Sequence, residues 1–368
     1  MIRTKRSPDF VLLLVLLILL SLGIVMVFSS SLWYATLPPF NDTFYFFRKQ
    51  LVWAIIGLVA MFAFMNYDYR RLKSWANLLL VVGLALLVVV LIPGVGVTKL
   101  GAQRWFNLGS LSFQPAEFVK LCLMIFNAYG LSGQLEKVKS SWLGILPFLF
   151  LAALSGGLIL LEPDLGTAVT VVGTIFIMLF AAGARISNLA LIGLLGMGAV
   201  GIAILKKPYR LQRFLAFMNP EKDPQGAGWH ILNSLMSLGS GGLLGTGLGR
   251  GHAKYLWVPE RHTDFIFAII GEELGFIGAS LVVFLFIILI WRGFRAAVTA
   301  PDSFGALLAT GIISGIAVQV IINIGVVTSS LPITGITLPF ISFGGSSLVF
   351  SLASMGILLN ISRFSVHK

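Results

Sequence analysis

The chain is predicted to be an all-α, polytopic membrane protein of about ten transmembrane helices, with one large extracytoplasmic loop between helices 7 and 8. Three observations predict this. Hydrophobic residues fill 57% of the 368 positions and charged residues 11%, which does not describe the surface of a water-soluble domain. Apolar runs of roughly 17–25 residues, each long enough to cross a bilayer, recur along the chain. Lys and Arg are also spread unevenly over the connections between those runs.

The first run, Phe10–Ser30, follows Arg3, Lys5 and Arg6. It is long enough to span and lacks a small-residue cleavage pattern, so it reads as a retained helix and not a removed signal. The remaining runs cover 47–66, 75–93, 114–131, 142–161, 167–184, 187–205, 264–291, 303–327 and 344–363. Ten spans place both termini on one side, expected to be the cytoplasm. On that side fall thirteen positive charges, from Arg3 through Arg70, Arg71 and Lys73 to Lys368. The other side holds four (Arg48, Lys49, Lys99 and Arg104) outside one long segment. That segment, 206–263, is the large loop within a single membrane domain, 1–368. It carries Lys206, Lys207, Arg210, Arg213, Lys222, Arg250, Lys254 and Arg261 against Glu221, Asp223 and Glu260. A solvated loop accounts for these charges, and so does a cationic surface that holds an anionic, lipid-linked group.

The formal net charge of +12 points to anionic membrane lipids or a phosphate-bearing substrate. Nucleic acid is not expected as a partner, because no binding module is recognisable. Cys122 has no cysteine partner in the chain, which excludes an intrachain disulfide or a cysteine metal cluster. No inverted repeat of broken helices is evident, which argues against a secondary transporter.

Ionisable groups in or beside membrane spans are costly, so each is a candidate for function. Four clusters qualify. In the first, Gly101-Ala102-Gln103-Arg104-Trp105 precedes Gln114-Pro115-Ala116-Glu117-Phe118-Val119-Lys120. Glu117 and Lys120 are three apart, so on a helix they share a face, as a structural ion pair or a catalytic one. The second is Leu161-Glu162-Pro163-Asp164-Leu165-Gly166-Thr167. Here Asp164 either caps the following helix or, with Glu162 as the second carboxylate, joins a divalent cation, Mg or Mn, to substrate phosphate.

The third runs from Pro259-Glu260-Arg261-His262-Thr263-Asp264 through Phe265-Ile266-Phe267-Ala268 to Gly271-Glu272-Glu273-Leu274-Gly275. Asp264 lies where loop becomes helix and can serve either as a cap or as an ionised carboxylate facing a membrane groove. Glu272 and Glu273 stand about 12–14 Å deeper, at eight and nine helical rises, and read as structural groups, paired or protonated. The fourth runs from Leu331-Pro332-Ile333-Thr334-Gly335 through Pro339-Phe340-Ile341-Ser342-Phe343-Gly344-Gly345-Ser346-Ser347. Free N–H groups at the last helix can receive an anion there, although close helix packing explains the same glycines and serines. The glycine-rich stretch Gly239–Gly249 lacks the lysine of a P-loop and reads as a mobile or re-entrant element.

Taken together and in this order, these motifs resemble the SEDS family of shape, elongation, division and sporulation proteins, which includes RodA and FtsW. The likeness spans nearly the whole chain. Leu338–Ser347 is similar to the FtsW and sporulation branch, whereas Arg261 before the histidine is RodA-like. The resemblance implies a ten-helix peptidoglycan glycosyltransferase that polymerises lipid II beside a class B penicillin-binding protein transpeptidase. It also implies that Asp264 is the essential aspartate.

On that basis Asp264 is expected to act as general base on the acceptor's 4-hydroxyl while undecaprenyl diphosphate leaves the donor. With no second carboxylate expected beside it, displacement should invert the donor carbon. Arg104, Arg210 and Arg213, with Lys120 as alternative, are expected to hold the diphosphate, since guanidinium groups pair phosphate oxygens bidentately. Glu117, His262, Ser346 and Ser347 complete the expected substrate site. Arg104→Ala is expected to raise the substrate requirement more than it disturbs folding. The alternatives are a flippase for lipid-linked cell-wall precursors and a noncatalytic scaffold.

Overall fold

A computed structural model describes residues 7–99, 102–109, 111–226, 228–252, 258 and 260–365. Arg3, Lys5, Arg6, Gly101, Lys254, Pro259 and Lys368, which entered the charge counts or motifs above, lie outside them. The described residues form thirteen α-helices: α1 (Phe10–Thr36), α2 (Tyr45–Asn66), α3 (Leu72–Val90), α4 (Pro115–Gly133), α5 (Leu135–Ser140), α6 (Leu146–Leu161), α7 (Leu165–Ala181), α8 (Ile186–Leu205), α9 (Pro208–Met218), α10 (Trp229–Ser240), α11 (Ile266–Val298), α12 (Ser303–Val327) and α13 (Gly345–Ser362).

Ten of these coincide with the ten expected spans. α1, α2, α3, α8, α11, α12 and α13 are long and apolar enough to cross a membrane on those grounds alone. α6 and α7 are apolar but shorter, at 16 and 17 residues, and α4 carries the Glu117–Lys120 pair. The protein is a multi-pass membrane protein. Its outward surface is correspondingly greasy, with Leu194, Leu195, Phe284 and Ile287 among many exposed apolar side chains that hydrocarbon would cover.

α12 is the central helix. Most of its length is buried, and it packs against α4, α7, α11 and α13. α8 is the opposite case: only Asn188 and Leu189 are buried, and its neighbours are α7 and α9. Among the described residues, three α-helix starts carry side-chain caps. Asp9, Asp164 and Asp302 cap α1, α7 and α12 by accepting from Leu12, Thr167 and Gly305 N–H groups.

Two features depart from the sequence reading. The connection between α3 and α4, for which no strand was expected, is a small antiparallel sheet of β1 (Val97–Lys99), β2 (Ala102–Leu108) and β3 (Leu111–Phe113). It places Arg104 on the central strand, β2. The expected eighth span also starts two residues late: α11 begins at Ile266, leaving Asp264 in the preceding turn.

The glycine-rich stretch after α10 is a docked re-entrant element. Gly275 interrupts α11 with φ of 69° and ψ of −171°, which removes helical partners from the backbone around it. The stretch replaces them. Thr246 and Gly247 N–H groups donate to Glu272 and Glu273 carbonyls at 2.9 and 3.0 Å. Phe276 and Ile277 N–H groups donate to Gly242 and Leu243 carbonyls at 2.9 and 3.2 Å. Within a membrane, broken backbone is tolerated only where such partners exist.

The two glutamate side chains fasten the same element, as their structural reading expected. Glu272 Oε1 accepts from His252 N at 2.6 Å, and Glu273 Oε2 accepts from Ser29 Oγ at 2.6 Å and Gly249 N at 3.1 Å.

Candidate active site

Asp264 occupies a turn built around Glu260, which adopts φ of 48° and accepts from both Thr263 and Phe265 N–H groups. The segment 331–344 cradles this turn. Ser342 Oγ donates to the Thr263 carbonyl at 2.6 Å, and Phe343 N donates to the His262 carbonyl at 2.8 Å. Asn323 of α12 joins the two segments, because its Nδ2 donates to the Asp264 carbonyl at 2.8 Å and to the Ile336 carbonyl at 2.6 Å.

The backbone of Asp264 is thus held while its side chain is not. Phe265, not Asp264 or Thr263, is the N-cap of α11, and no side chain caps that helix. The capping alternative for Asp264 is therefore not what the chain adopts. Among the described residues its half-buried carboxylate accepts no hydrogen bond, and it faces a cavity of about 590 Å³. That volume lies in the range of small-ligand sites.

The same cavity brings together the side chains expected to form the substrate site: Arg104, Glu117, Lys120, Asp164, Arg210, Arg213, His262 and Asp264, with Ser346 and Ser347 at the start of α13; Glu162, Glu272 and Glu273 do not line it. Their partners separate them into groups. Lys120 Nζ lies 2.7 Å from Glu117 Oε2 and donates to Gln319 Oε1 at 3.1 Å, and Gln319 Nε2 in turn donates to the Thr337 carbonyl at 2.9 Å. The pair is buried and links α4 to α12. Ser346 Oγ accepts from Gln114 N at 3.2 Å, which ties α13 to the start of α4.

Two arginines are more committed than expected. Arg104 Nε donates to the Glu162 carbonyl at 2.7 Å, and its terminal nitrogens reach the Pro163 carbonyl at 2.5 Å and Asp164 Oδ2 at 3.5 Å. It clamps the α6–α7 turn as well as facing the cavity, so Arg104→Ala should disturb folding together with substrate binding. Arg210 is buried and donates to the Ala203 carbonyl at 3.1 Å, the Leu160 carbonyl at 3.4 Å and the Tyr209 hydroxyl at 2.8 Å. Arg213 is different. It is exposed to the cavity, lies over the Tyr209 ring at 5.9 Å, and makes no ion pair among the described residues.

Burial raises the Asp264 carboxyl to a pKa of about 7, with Glu260 and Asp164 adding repulsion and Arg104 and Arg213 partly opposing it. An aspartate that stays wholly ionised was the expectation; the cavity instead poises it near neutrality. His262 is pushed down to about 4 by burial and by Arg261, so its imidazole is neutral. It stacks against Tyr34, Phe46 and Phe343 and serves as part of an aromatic wall.

Glu162 is fully buried and raised to about 8 by burial, then by Asp164, with Arg104 opposing. Asp164 spends one oxygen on the α7 cap and turns the other toward Arg104. A divalent cation there would have to displace Arg104. No group of three His, Cys, Asp or Glu side chains is placed to hold a metal among the described residues. Among the described residues a cation thus has no ready-made set of three protein ligands.

The sequence reading missed Gln319, Asn323 and His230 and gave Thr334 no role within its fourth cluster; all four are brought to or beneath the cavity by tertiary packing. Intramembrane amides on α12 were the available signal, since buried polar groups need partners.

A bundle of apolar helices with carboxylates and cations around one large cavity defines a polytopic membrane protein built to receive a polar ligand. Comparison with known proteins makes the class specific. Residues 10–367 match the FtsW, RodA and SpoVE cell cycle protein model. Stage V sporulation protein E of Bacillus subtilis is 48% identical over 362 residues, covering 98% of each chain. The probable peptidoglycan glycosyltransferase FtsW of Trichlorobacter lovleyi is 44% identical, covering 98% of this chain and 96% of that one.

Two solved structures share the fold. A chain from a peptidoglycan synthase complex, described as coordinating polymerization and crosslinking, is 32% identical with a TM-score of 0.81, covering 98% and 99% of the two chains. The rod shape determining protein RodA of Thermus thermophilus is 30% identical with a TM-score of 0.73 and the same coverage. The chain belongs to the FtsW, RodA and SpoVE family, and its enzyme class is peptidoglycan glycosyltransferase.

Proposed function

We propose that the chain polymerises lipid II into glycan strands, with Asp264 as general base. The observation that carries this is the uncapped, unbonded carboxylate of Asp264 facing the large cavity, poised near neutral pH. A base with a pKa near the working pH combines a large ionised fraction with useful basicity.

In the proposed step Asp264 takes the proton of the acceptor's 4-hydroxyl as that oxygen attacks the donor's anomeric carbon. The bond from that carbon to the diphosphate oxygen breaks, and undecaprenyl diphosphate leaves with the electron pair. Contrary to the sequence expectation, Glu260 and Asp164 also border the cavity. Glu260 accepts from Thr263 Oγ1 and Asp164 is engaged by the α7 cap and Arg104, so Asp264 acts alone and a single displacement inverts the donor carbon. Arg213 is best placed to meet the developing negative charge, because its guanidinium is not spent on protein carbonyls, and Arg104 adds its field from the α6–α7 turn.

The cavity lies on the side bearing the 206–263 loop, which the charge bias assigns to the outside of the plasma membrane, with both termini cytoplasmic. A class B penicillin-binding protein transpeptidase is the proposed partner, in keeping with the coupled polymerization and crosslinking of the structurally similar complex.

The test is product analysis in detergent, where there is no membrane to cross. The purified chain with its partner should lengthen lipid II into a ladder of glycan polymers, and added EDTA should leave the rate within about twofold, as the poor metal donor set implies. Transfer of lipid II across proteoliposomes with no polymer in detergent would replace this reading with a flippase. A second measurement separates the arginines. Arg213→Ala should raise the KM for lipid II about tenfold, the order of one charge-assisted contact, without lowering the melting temperature. Arg210→Ala should lower the melting temperature, because carbonyls of α6 and α8 lose their donor. Equal effects of both variants on melting would return Arg213 to a structural role.

A further inference from the structure

Thr334 lines the cavity, yet its Oγ1 is buried and has no hydrogen-bond partner. A hydroxyl withheld from water without a partner is disfavoured, and valine would fill the same space without that cost. The position is therefore one where a hydroxyl has a use that the free protein does not show.

Its surroundings are rigid and close to the base. Asn323 Nδ2 donates to both the Ile336 and the Asp264 carbonyls, so one amide fixes the Thr334 segment relative to the Asp264 turn. The next residue, Gly335, holds φ of 76°, and a Cβ added there would lie 3.5 Å from Asp264 Oδ2. On the other side, the Thr334 Cβ would stand 3.2 Å from a Cβ added to Gly166, in the first turn of α7. Thr334 thus stands between the Asp264 carboxylate and the helix start that Arg104 and Asp164 secure. Thr334 and Asp264 line the same cavity, so a sugar presenting one hydroxyl to Asp264 would carry its neighbouring ring substituents along the wall that includes Thr334. Rotation about the threonine Cα–Cβ bond moves the hydroxyl between staggered positions and can turn it toward the cavity.

We propose that Thr334 is a substrate-binding residue of the acceptor site, its hydroxyl bonding a sugar oxygen next to the hydroxyl that Asp264 deprotonates. The proposal rests on the reading of Asp264 as base and adds the group that orients the acceptor against it. Correct orientation matters because small displacements of a reacting oxygen are expensive in rate.

Full-length Thr334→Val and Thr334→Ser chains, purified with the partner, are assayed for polymerisation across a lipid II titration and for thermal unfolding. For valine, kcat/KM should fall at least about tenfold, as when a site built to hydrogen-bond a hydroxyl loses that bond. Its melting temperature should not fall, since the hydroxyl has no partner to lose. Serine should restore kcat/KM to within about threefold of the parent chain. A valine variant with parental kcat/KM, one whose loss serine does not restore, or one that melts lower would each overturn the assignment. Failure of the base reading itself appears elsewhere, as polymer made by an Asp264→Asn chain, and is not measured by the Thr334 series.

Discussion

Asp264→Asn should abolish polymer formation from lipid II while leaving the protein folded. Loss of a general base costs about 10²- to 10⁴-fold in rate. Folding should survive because the carboxylate caps no helix and accepts no hydrogen bond among the described residues; the anchoring contact at this residue is its backbone carbonyl, held by Asn323. The pH profile gives the sign of the effect. Only the ionised carboxylate can take a proton, and its pKa is raised by burial, then by Glu260 and Asp164, to about 7. The rate should therefore rise about tenfold per unit below pH 7 and level off above it. Glu260→Gln removes one neighbouring negative charge and should move the midpoint downward. The measurement is kcat/KM for lipid II against pH in detergent. A profile that is flat from pH 5 to 8 would show that Asp264 does not titrate in the reaction.

The second large effect concerns stability. Glu117 and Lys120 form an ion pair at 2.7 Å with side chains 7% and 10% exposed, and Lys120 also donates to Gln319. Removing one partner strands a buried charge, so Glu117→Gln or Lys120→Met should each cost about 3–5 kcal/mol. The double variant should cost less than the sum of the two, because neither charge is left alone. Thermal unfolding of the two singles and the double in one detergent reads this coupling. Additive losses would mean that the two side chains act independently. Polymerisation by the double variant reports separately whether the pair also touches substrate.

Much of the architecture was legible because membrane insertion depends on sums over consecutive residues. Runs such as 303–327 and 187–205 match α12 and α8 to within a residue or so. The carboxylates and cations that line the cavity were legible for a related reason: charge beside a span is costly and stands out against an apolar background. The β1–β3 sheet was not legible, since its strands are short and their pairing depends on a turn rather than on alternation. The role of Gly275 was hidden as well. One glycine in a helical pattern does not announce a break, and this break persists because Gly241–Gly247 supplies the missing backbone partners.

Partner assignments lay furthest beyond the sequence. Arg104 and Arg210 looked as available for phosphate as Arg213. Only the folded chain commits the first two to carbonyls of Glu162, Pro163, Leu160 and Ala203, up to 59 positions away. Asp264 looked as suited to capping as to catalysis, and the late start of α11 is what releases it.

By itself the sequence determined where the apolar helices lie and which ionisable groups stand at their edges, because hydropathy is local and additive. Tertiary structure decided which of those groups are consumed in holding the bundle together and which remain to meet a ligand. Hydrogen-bond partnership depends on distances between residues far apart in the chain, and those distances exist only once the helices have packed.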